Sequence, residues 1–255
     1  MRVKDKVAIV VGAGMGIGKA TALLLAAEGA RVMVVDLMEE TAEKTKMEIL
    51  NAGGDAAAMK VDMTKEQETI EMAKFALDKF GKIDILCNVA GGSSGPNIRD
   101  KPSPFASSKK TEWDRVIDVN LNGARNCTRA VVNHMIERRY GRIVNFSSMV
   151  GITGAQGIAD YCAAKAGIIG FTKALAVELT QYGITTNCVS PGLAATERML
   201  AFPKALREKM IAGIHVGRMA WPKEIAETVL FLASDEAAYI TGQNILITGG
   251  KDLAT

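Results

Sequence analysis

Tyr161 and Lys165 lie four residues apart in a strongly helical stretch, which puts both side chains on one helix face with Cβ atoms about 5–6 Å apart. A phenol is a poor base at neutral pH, since its reference pKa is about 10. Lowering that value by about three units takes roughly 4 kcal/mol of preferential phenolate stabilisation. One ammonium at ~4 Å supplies an interaction of that order at an effective dielectric near 20. The pair is therefore adequate to take a proton from an alcohol. The same pattern also arises when a lysine snorkels beside a half-buried ring. A second set is Gly12-Ala13-Gly14-Met15-Gly16-Ile17-Gly18, which ends an apolar run and opens a helix. Glycines there let main-chain N–H groups approach a pyrophosphate at the helix N-terminus, although a glycine-rich turn also serves plain strand–helix connection. Asp36 follows 18 residues after Gly18, about where an acidic side chain accepts the adenosine ribose hydroxyls. Its charge opposes a 2′-phosphate, and Met15 and Leu37 provide no offsetting cation, so the expected cofactor is NAD rather than NADP. A solvated Asp capping the next helix is the alternative.

These residues need a scaffold, and the apolar pattern supplies one. Lys6–Val11, Arg31–Val35, Ala56–Val61, Ile83–Asn88, Arg142–Phe146, Thr185–Ser190 and Asn244–Thr248 are short β-branched or apolar runs. Most are continuously apolar, as parallel strands covered on both faces are. Helical segments of about 11 to 28 residues separate them, from Gly18–Glu28 to Pro222–Ala233. The alternation predicts an α/β fold, a Rossmann-type doubly wound seven-stranded parallel sheet with helices on both faces. No repeat or linker divides the chain, so residues 1–255 read as a single dinucleotide-binding and catalytic domain. Two segments leave the carboxyl edge of the sheet, where ligands bind in such folds. One is the polar loop Gly91–Lys110 with Pro96, Pro102 and Pro104; the other is residues 192–219, read as a substrate-binding lid.

Composition narrows the function classes. The chain has 255 residues, 48% of them hydrophobic, enough for a large core without disulfides or metals. A net charge of +3 is too weak a field to suggest nucleic acid or an anionic membrane. The two histidines, His134 and His215, lie far apart, which argues against a metal site and a histidine triad. Cys87, Cys127, Cys162 and Cys188 form no close pair and read as buried free thiols in a reducing compartment. No apolar stretch approaches the ~18 residues of a membrane span. Arg2, Lys4 and Lys6 before the first apolar run imitate a signal peptide, but glycines and an amphipathic helix follow it, so a cytoplasmic location is expected.

Taken in order along nearly the whole chain, Gly12-x-x-x-Gly16-x-Gly18, Asn88-Val89-Ala90-Gly91, Asn120, Ser148, Tyr161-x-x-x-Lys165 and Pro191-Gly192 resemble the short-chain dehydrogenase/reductase family. The resemblance implies that Tyr161 is the general acid/base and that Lys165 holds the nicotinamide ribose while depressing the tyrosine pKa. It implies that Ser148 hydrogen-bonds the substrate oxygen and that Asn120 anchors a water linking Lys165 to solvent. Asp62 and Met63 then match positions that contact adenine, and Asn88 the residue beside the adenosine ribose. Ala90 and Gly91 continue that motif, while Pro191, Gly192, Ala194 and Thr196 match the stretch around the nicotinamide amide. Family members are commonly tetramers, in keeping with the helix Ala163–Leu179 being apolar nearly all round. Departures are Val11 where Thr is usual, Val89 where a second Asn is common, and Thr248-Gly249-Gly250 for Asp-Gly-Gly. None removes a reacting group.

Residue by residue, plainer readings stand beside these. Ser148 adjoins Ser147 where a serine often caps a turn. Asn120 falls inside a helical stretch, which disfavours Asn. Arg99, Lys101, Lys109 and Lys110 form a basic cluster that either meets an acidic substrate or is simply solvated. The expected reaction is NAD-dependent interconversion of a secondary alcohol and a ketone by hydride transfer. Met149, Ile152, Ile158, Met199, Leu200 and Phe202 are the expected apolar wall. Two competitors remain: a 3-oxoacyl carrier-protein or acyl-CoA-type β-keto reductase, which generally goes with NADPH, and a non-catalytic dinucleotide sensor or scaffold.

Overall fold

Val7–Val11 (β1) is an unbroken apolar run because both of its faces are covered. Ala8 and Val10 enter one core, whereas Val7, Ile9 and Val11 enter the other. The computed structural model describes residues 1–95, 98–99 and 101–253. Pro96, assigned above to the polar loop, lies outside them. The other strands are β2 (Arg31–Asp36), β3 (Asp55–Lys60), β4 (Ile85–Asn88), β5 (Gly141–Phe146), β6 (Ile184–Pro191) and β7 (Asn244–Ile247). They form one seven-stranded sheet in the order β3-β2-β1-β4-β5-β6-β7, every pair parallel. The order reverses between β1 and β4, which opens a crevice at their carboxyl ends.

Helices α1 (Gly16–Ala27), α2 (Glu39–Asn51), α3 (Glu66–Phe80), α4 (Lys110–Ile117) and α5 (Gly123–Arg138) occupy the first half. The second half carries α6 (Val150–Thr153), α7 (Ala159–Leu179), α8 (Glu197–Leu200), α9 (Lys204–Ile211) and α10 (Pro222–Ala233). Ala22 and Leu25 of α1 and Ile225 and Val229 of α10 fill one core. Met72 and Ala76 of α3 with Cys127, Val131 and Met135 of α5 fill the opposite one. All seven strands match the periodicity reading with ends displaced by at most two residues, as do α1 and α10, whereas α7 begins at Ala159, four residues before the expected Ala163. The loop after β4 contains a short 3₁₀ turn at Phe105–Ser107, and the segment after β6 contains α8 and α9. Among the described residues, no helix is long and apolar enough to cross a membrane. The cysteines are free; Cys87, Cys127 and Cys188 are buried, but Cys162, in the first turn of α7, is only half-buried.

Candidate active site

The carboxyl end of β1 passes directly into the glycine loop. Gly12 and Ala13 donate to the Val35 carbonyl of β2, and Val89 and Ala90 donate to the Val11 carbonyl, so both sides of the crevice are fixed by main chain. Gly12 has φ +83°, and a Cβ there would lie 2.7 Å from the Ala90 backbone. A Cβ on Gly18 would overlap the Gly12 carbonyl oxygen, so only glycine lets α1 start this close to the loop. Asp36 closes the other flank: its Oδ2 accepts from Gly14 N–H at 2.8 Å and its Oδ1 from Met38 N–H at 3.1 Å. Met15, at the N-cap of α1, provides no side-chain acceptor, and both Met15 and Leu37 are exposed at the rim. A helix N-terminus whose own N-cap residue provides no acceptor, beside a trough that side chains would block, fits a dinucleotide pyrophosphate, although the Glu197 carboxylate meets Gly16 N–H there in this structure.

Across the crevice, Ser148 follows β5, while Tyr161 and Lys165 stand on α7. With Ile17, Val89, Gly91, Phe146, Ser147, Pro191 and Gly192 they line a cleft of about 150 Å³. The Lys165 side chain is buried, and its ammonium donates to the Phe146 carbonyl at 2.8 Å. The ammonium lies 5.6 Å from the centroid of the Tyr161 ring. Ser147 ties the same helix to β5 by donating to the Lys165 carbonyl at 2.6 Å. Burial pushes the Tyr161 phenol up to about 12, against the Ser148 hydroxyl and the Arg198 charge, which pull it down. Burial likewise lowers Lys165 to about 8. The expectation that Lys165 depresses the phenol pKa is thus not met by the protein's own groups. Removing the ring from water outweighs the charges that face it.

Several residues do something other than expected. Asn88 turns away from the crevice: its amide donates to Asn145 Oδ1 at 2.8 Å and to Thr128 Oγ1 at 3.2 Å inside the core. Val89 and Gly91 of this motif line the cleft, whereas Asn88 does not. Asn120 sits in a π-helical turn, Asp118–Asn122, between α4 and α5. The widened turn frees the Val116 carbonyl, which accepts from Asn120 Nδ2 at 2.9 Å. The same amide brackets Gly92, donating to its carbonyl and accepting from its N–H, both at 2.9 Å. Its Oδ1 and the Lys165 ammonium both flank Gly91. Asp62 accepts from the N–H and hydroxyl of Thr64, and Met63 is buried against Gly123. Ala194 is buried in a bridge to Ala220, and Thr196 accepts from Met199 N–H as the cap of α8. None of Met149, Ile152, Ile158, Met199, Leu200 and Phe202 lines the cleft; Ile152, Leu200 and Phe202 are exposed.

The basic cluster is divided: Lys101, Lys109 and Lys110 stay exposed, and Arg99 is withdrawn from it. Arg99 is buried against Asp160, Lys109 pairs with Glu112 and Lys110 with Asp114. Sequence reasoning missed Asp160, although an acidic residue in the first turn of a helix is itself a signal. It also missed Glu197, whose Oε2 accepts from Gly16 N–H at 3.1 Å, and Arg198, which donates to Ser94 O and Oγ at 2.6 Å each. The Phe146 carbonyl, a main-chain acceptor, left no trace in residue type.

Comparison with known proteins agrees with this geometry. A family model described as Enoyl-(Acyl carrier protein) reductase matches residues 12–252. The 3-oxoacyl-[acyl-carrier-protein] reductase FabG of Thermotoga maritima is 41% identical over 250 residues, covering 98% of this chain and 99% of that protein. The (2S)-[(R)-hydroxy(phenyl)methyl]succinyl-CoA dehydrogenase subunit BbsD of Thauera aromatica is 37% identical, covering 99% of each chain. The crystal structure of levodione reductase superimposes with a TM-score of 0.93 at 32% identity, covering 100% of both chains. Sequence and fold over their whole length place the chain in the short-chain dehydrogenase/reductase family of oxidoreductases.

Proposed function

We propose that the chain interconverts a secondary alcohol and a ketone, with Tyr161 as general acid/base and NAD as coenzyme. The observation that carries this reading is that Ser148, Tyr161 and Lys165 line one cleft together with Ile17 at the start of α1 and Gly91 after β4. Tyr161 Oη takes the proton of the alcohol or returns it to the ketone oxygen. Ser148 Oγ donates to that same oxygen and keeps it beside the phenol. Lys165, anchored on the Phe146 carbonyl, holds positive charge near the ring and a donor for the ribose side of the cleft. Asn120 fixes the Gly92 backbone and leaves Oδ1 facing Lys165 for a bridging water. The bound nicotinamide supplies hydride exchange and, when oxidised, a further positive charge. Tyr161→Phe is expected to abolish turnover while NADH still binds, as followed by nicotinamide fluorescence; retained turnover removes the phenol from the reaction.

Asp36 supports the choice of coenzyme, because a carboxylate at the end of β2 suits the adenosine ribose hydroxyls and its charge opposes a 2′-phosphate. Kinetics with both coenzymes are expected to favour NAD at least tenfold, and equal efficiency overturns the charge argument. Gly12, Met15, Gly16, Ile17, Gly18, Leu37, Asp62 and Met63 complete the proposed adenosine and pyrophosphate side, and Pro191, Gly192, Ala194 and Thr196 the nicotinamide side.

A β-ketoacyl thioester is the second substrate reading. The relatives named for 3-oxoacyl-carrier-protein and succinyl-CoA chemistry favour it. An acetoacetyl thioester assayed beside simple cyclic and aromatic alcohols separates the two. The proposal includes a single domain with residues 192–219 as substrate lid, a cytoplasmic location, and packing of α7 on another copy in a homotetramer. Val177 on α7 is 84% exposed, and that apolar surface supports such packing.

A further inference from the structure

We infer that Arg99 and Asp160 form a positioning pair that holds Tyr161 in register with the cleft. The inference rests on the proposed role of the phenol and adds a group that the reaction reading does not use. Tyr161 lies in the first turn of α7, where main-chain N–H groups have no intrahelical partner. Ile158, at the N-cap, has no side-chain acceptor to offer. Asp160 takes that role from inside the helix, its Oδ1 accepting from Tyr161 N–H at 2.7 Å. Both carboxylate oxygens are then gripped by one guanidinium, Arg99 Nη1 to Oδ2 at 2.7 Å and Nη2 to Oδ1 at 2.9 Å. The two side chains are 2% and 3% exposed. Arg99 Nε in turn donates to Ser93 O at 2.7 Å, and Gly95 N–H donates to Arg99 O at 2.9 Å.

The loop is fastened at a second point as well. Ser103 N–H donates to Gly157 O at 3.1 Å, just before α7. On the far side, Arg198 donates to Ser94 O and Oγ. Ser93, Ser94, Gly95 and Arg99 therefore connect the segment after β6 to the first turn of the catalytic helix. A buried ion pair is a poor device for stability alone, because desolvation offsets its Coulomb gain and apolar side chains of the same volume do as well. What a bidentate fork provides is direction. Here that direction is given to the residue adjoining the phenol, at a helix end that would otherwise fray.

The charged and titratable groups that face Tyr161 set the expected pH response. They are Lys165 on its own helix, Arg198 from α8 and the neighbouring Cys162 thiol, with the Ser148 hydroxyl opposite. Asp160 meets the Tyr161 main-chain N–H rather than the phenol, and its charge is matched by Arg99. Loosening the fork frees the first turn of α7 and lets the ring drift from the Ser148 hydroxyl and the Arg198 charge, which disfavours the phenolate.

Arg99→Lys keeps the charge but not the fork. It is expected to lower kcat about tenfold to a hundredfold, the penalty of a small misplacement of a reacting group. The inflection in kcat for alcohol oxidation is expected to rise by about a few tenths of a pH unit, with the NADH dissociation constant unchanged within about twofold. The double variant Arg99→Met/Asp160→Leu replaces the pair with apolar side chains and is expected to show the same loss of kcat near the wild-type melting temperature. Wild-type kcat and pH profile in either folded variant overturn the proposal, even if melting falls. Arg99→Lys decides alone if the double variant does not fold. Turnover retained in Tyr161→Phe would instead strike the role of the phenol, so the two failures are distinguishable.

Discussion

Lys165 shows what the proposed reaction would cost the fold. Its ammonium is buried with one carbonyl partner, and burial lowers it from 10.5 to about 8. At neutral pH that difference corresponds to roughly 3 kcal/mol against the folded state. Between about pH 8 and pH 10.5 the unfolded chain still holds a proton that the folded chain has released, so this group makes stability rise with pH across that window. Lys165→Met removes the burden but leaves the Phe146 carbonyl unpaired, at a cost of about 1–2 kcal/mol. The variant is expected to be inactive yet about 1–2 kcal/mol more stable than wild type at pH 7 in the absence of coenzyme. Denaturant melts at pH 7 and pH 10 check this: the advantage must shrink at the higher pH, and a variant less stable at pH 7 refutes it. The types of the reacting residues were legible in the sequence because a four-residue spacing is a local fact. Their protonation was not, since it depends on how deeply the crevice buries them.

The glycine loop and α1 behave as one unit, because Gly18 touches the Gly12 carbonyl across the turn. Gly18→Ala forces the helix away from the loop and is expected to cost about 1–3 kcal/mol of stability, as overpacking does. It is also expected to weaken NADH binding at least tenfold, measured by fluorescence titration. Unchanged affinity would detach the helix N-terminus from the coenzyme site. Strands were readable from sequence because burial on both faces leaves almost no choice but apolar residues. β4 begins at Ile85 rather than Ile83 because Asp84, between them, faces the amino edge as a polar anchor. The π-helical turn around Asn120 was invisible, since one extra residue in a helical turn changes hydrogen bonding without changing composition. The pairing of Arg99 with Asp160 was hidden for a different reason: 61 residues separate them, and only the tertiary fold brings them together.

Across the molecule, the sheet keeps its chemistry at the carboxyl edge and a structural anchor at the amino edge. Asp84 accepts from Val7 N–H at 2.9 Å and pairs with Arg138 at 2.8 Å and Lys82 at 3.0 Å, joining β1, β4 and α5. Burial alone would raise its pKa, but the bonds from Arg138, Val7 and Lys82 prevail and hold it below the usual carboxylate value. Its contribution is therefore present above about pH 4 and lost as pH falls through the lowered value. Asp84→Ala is expected to cost about 2–3 kcal/mol at pH 7 by stranding the Val7 N–H and two cations. Turnover per folded molecule should not change, since the cleft lies at the other end of the strands. A variant with intact stability, or with kcat lowered in proportion to nothing else, contradicts that division.

Asp36 has a consequence for any test of the proposed preference for NAD by exchange of that side chain. Its Oδ2 is the acceptor for Gly14 N–H, so replacing the carboxylate with a small or basic side chain discards the bracket of the loop together with the negative charge. A redesign must supply a neutral acceptor at that N–H as well as a cation nearby, and a single exchange at position 36 should yield a poor catalyst with either coenzyme.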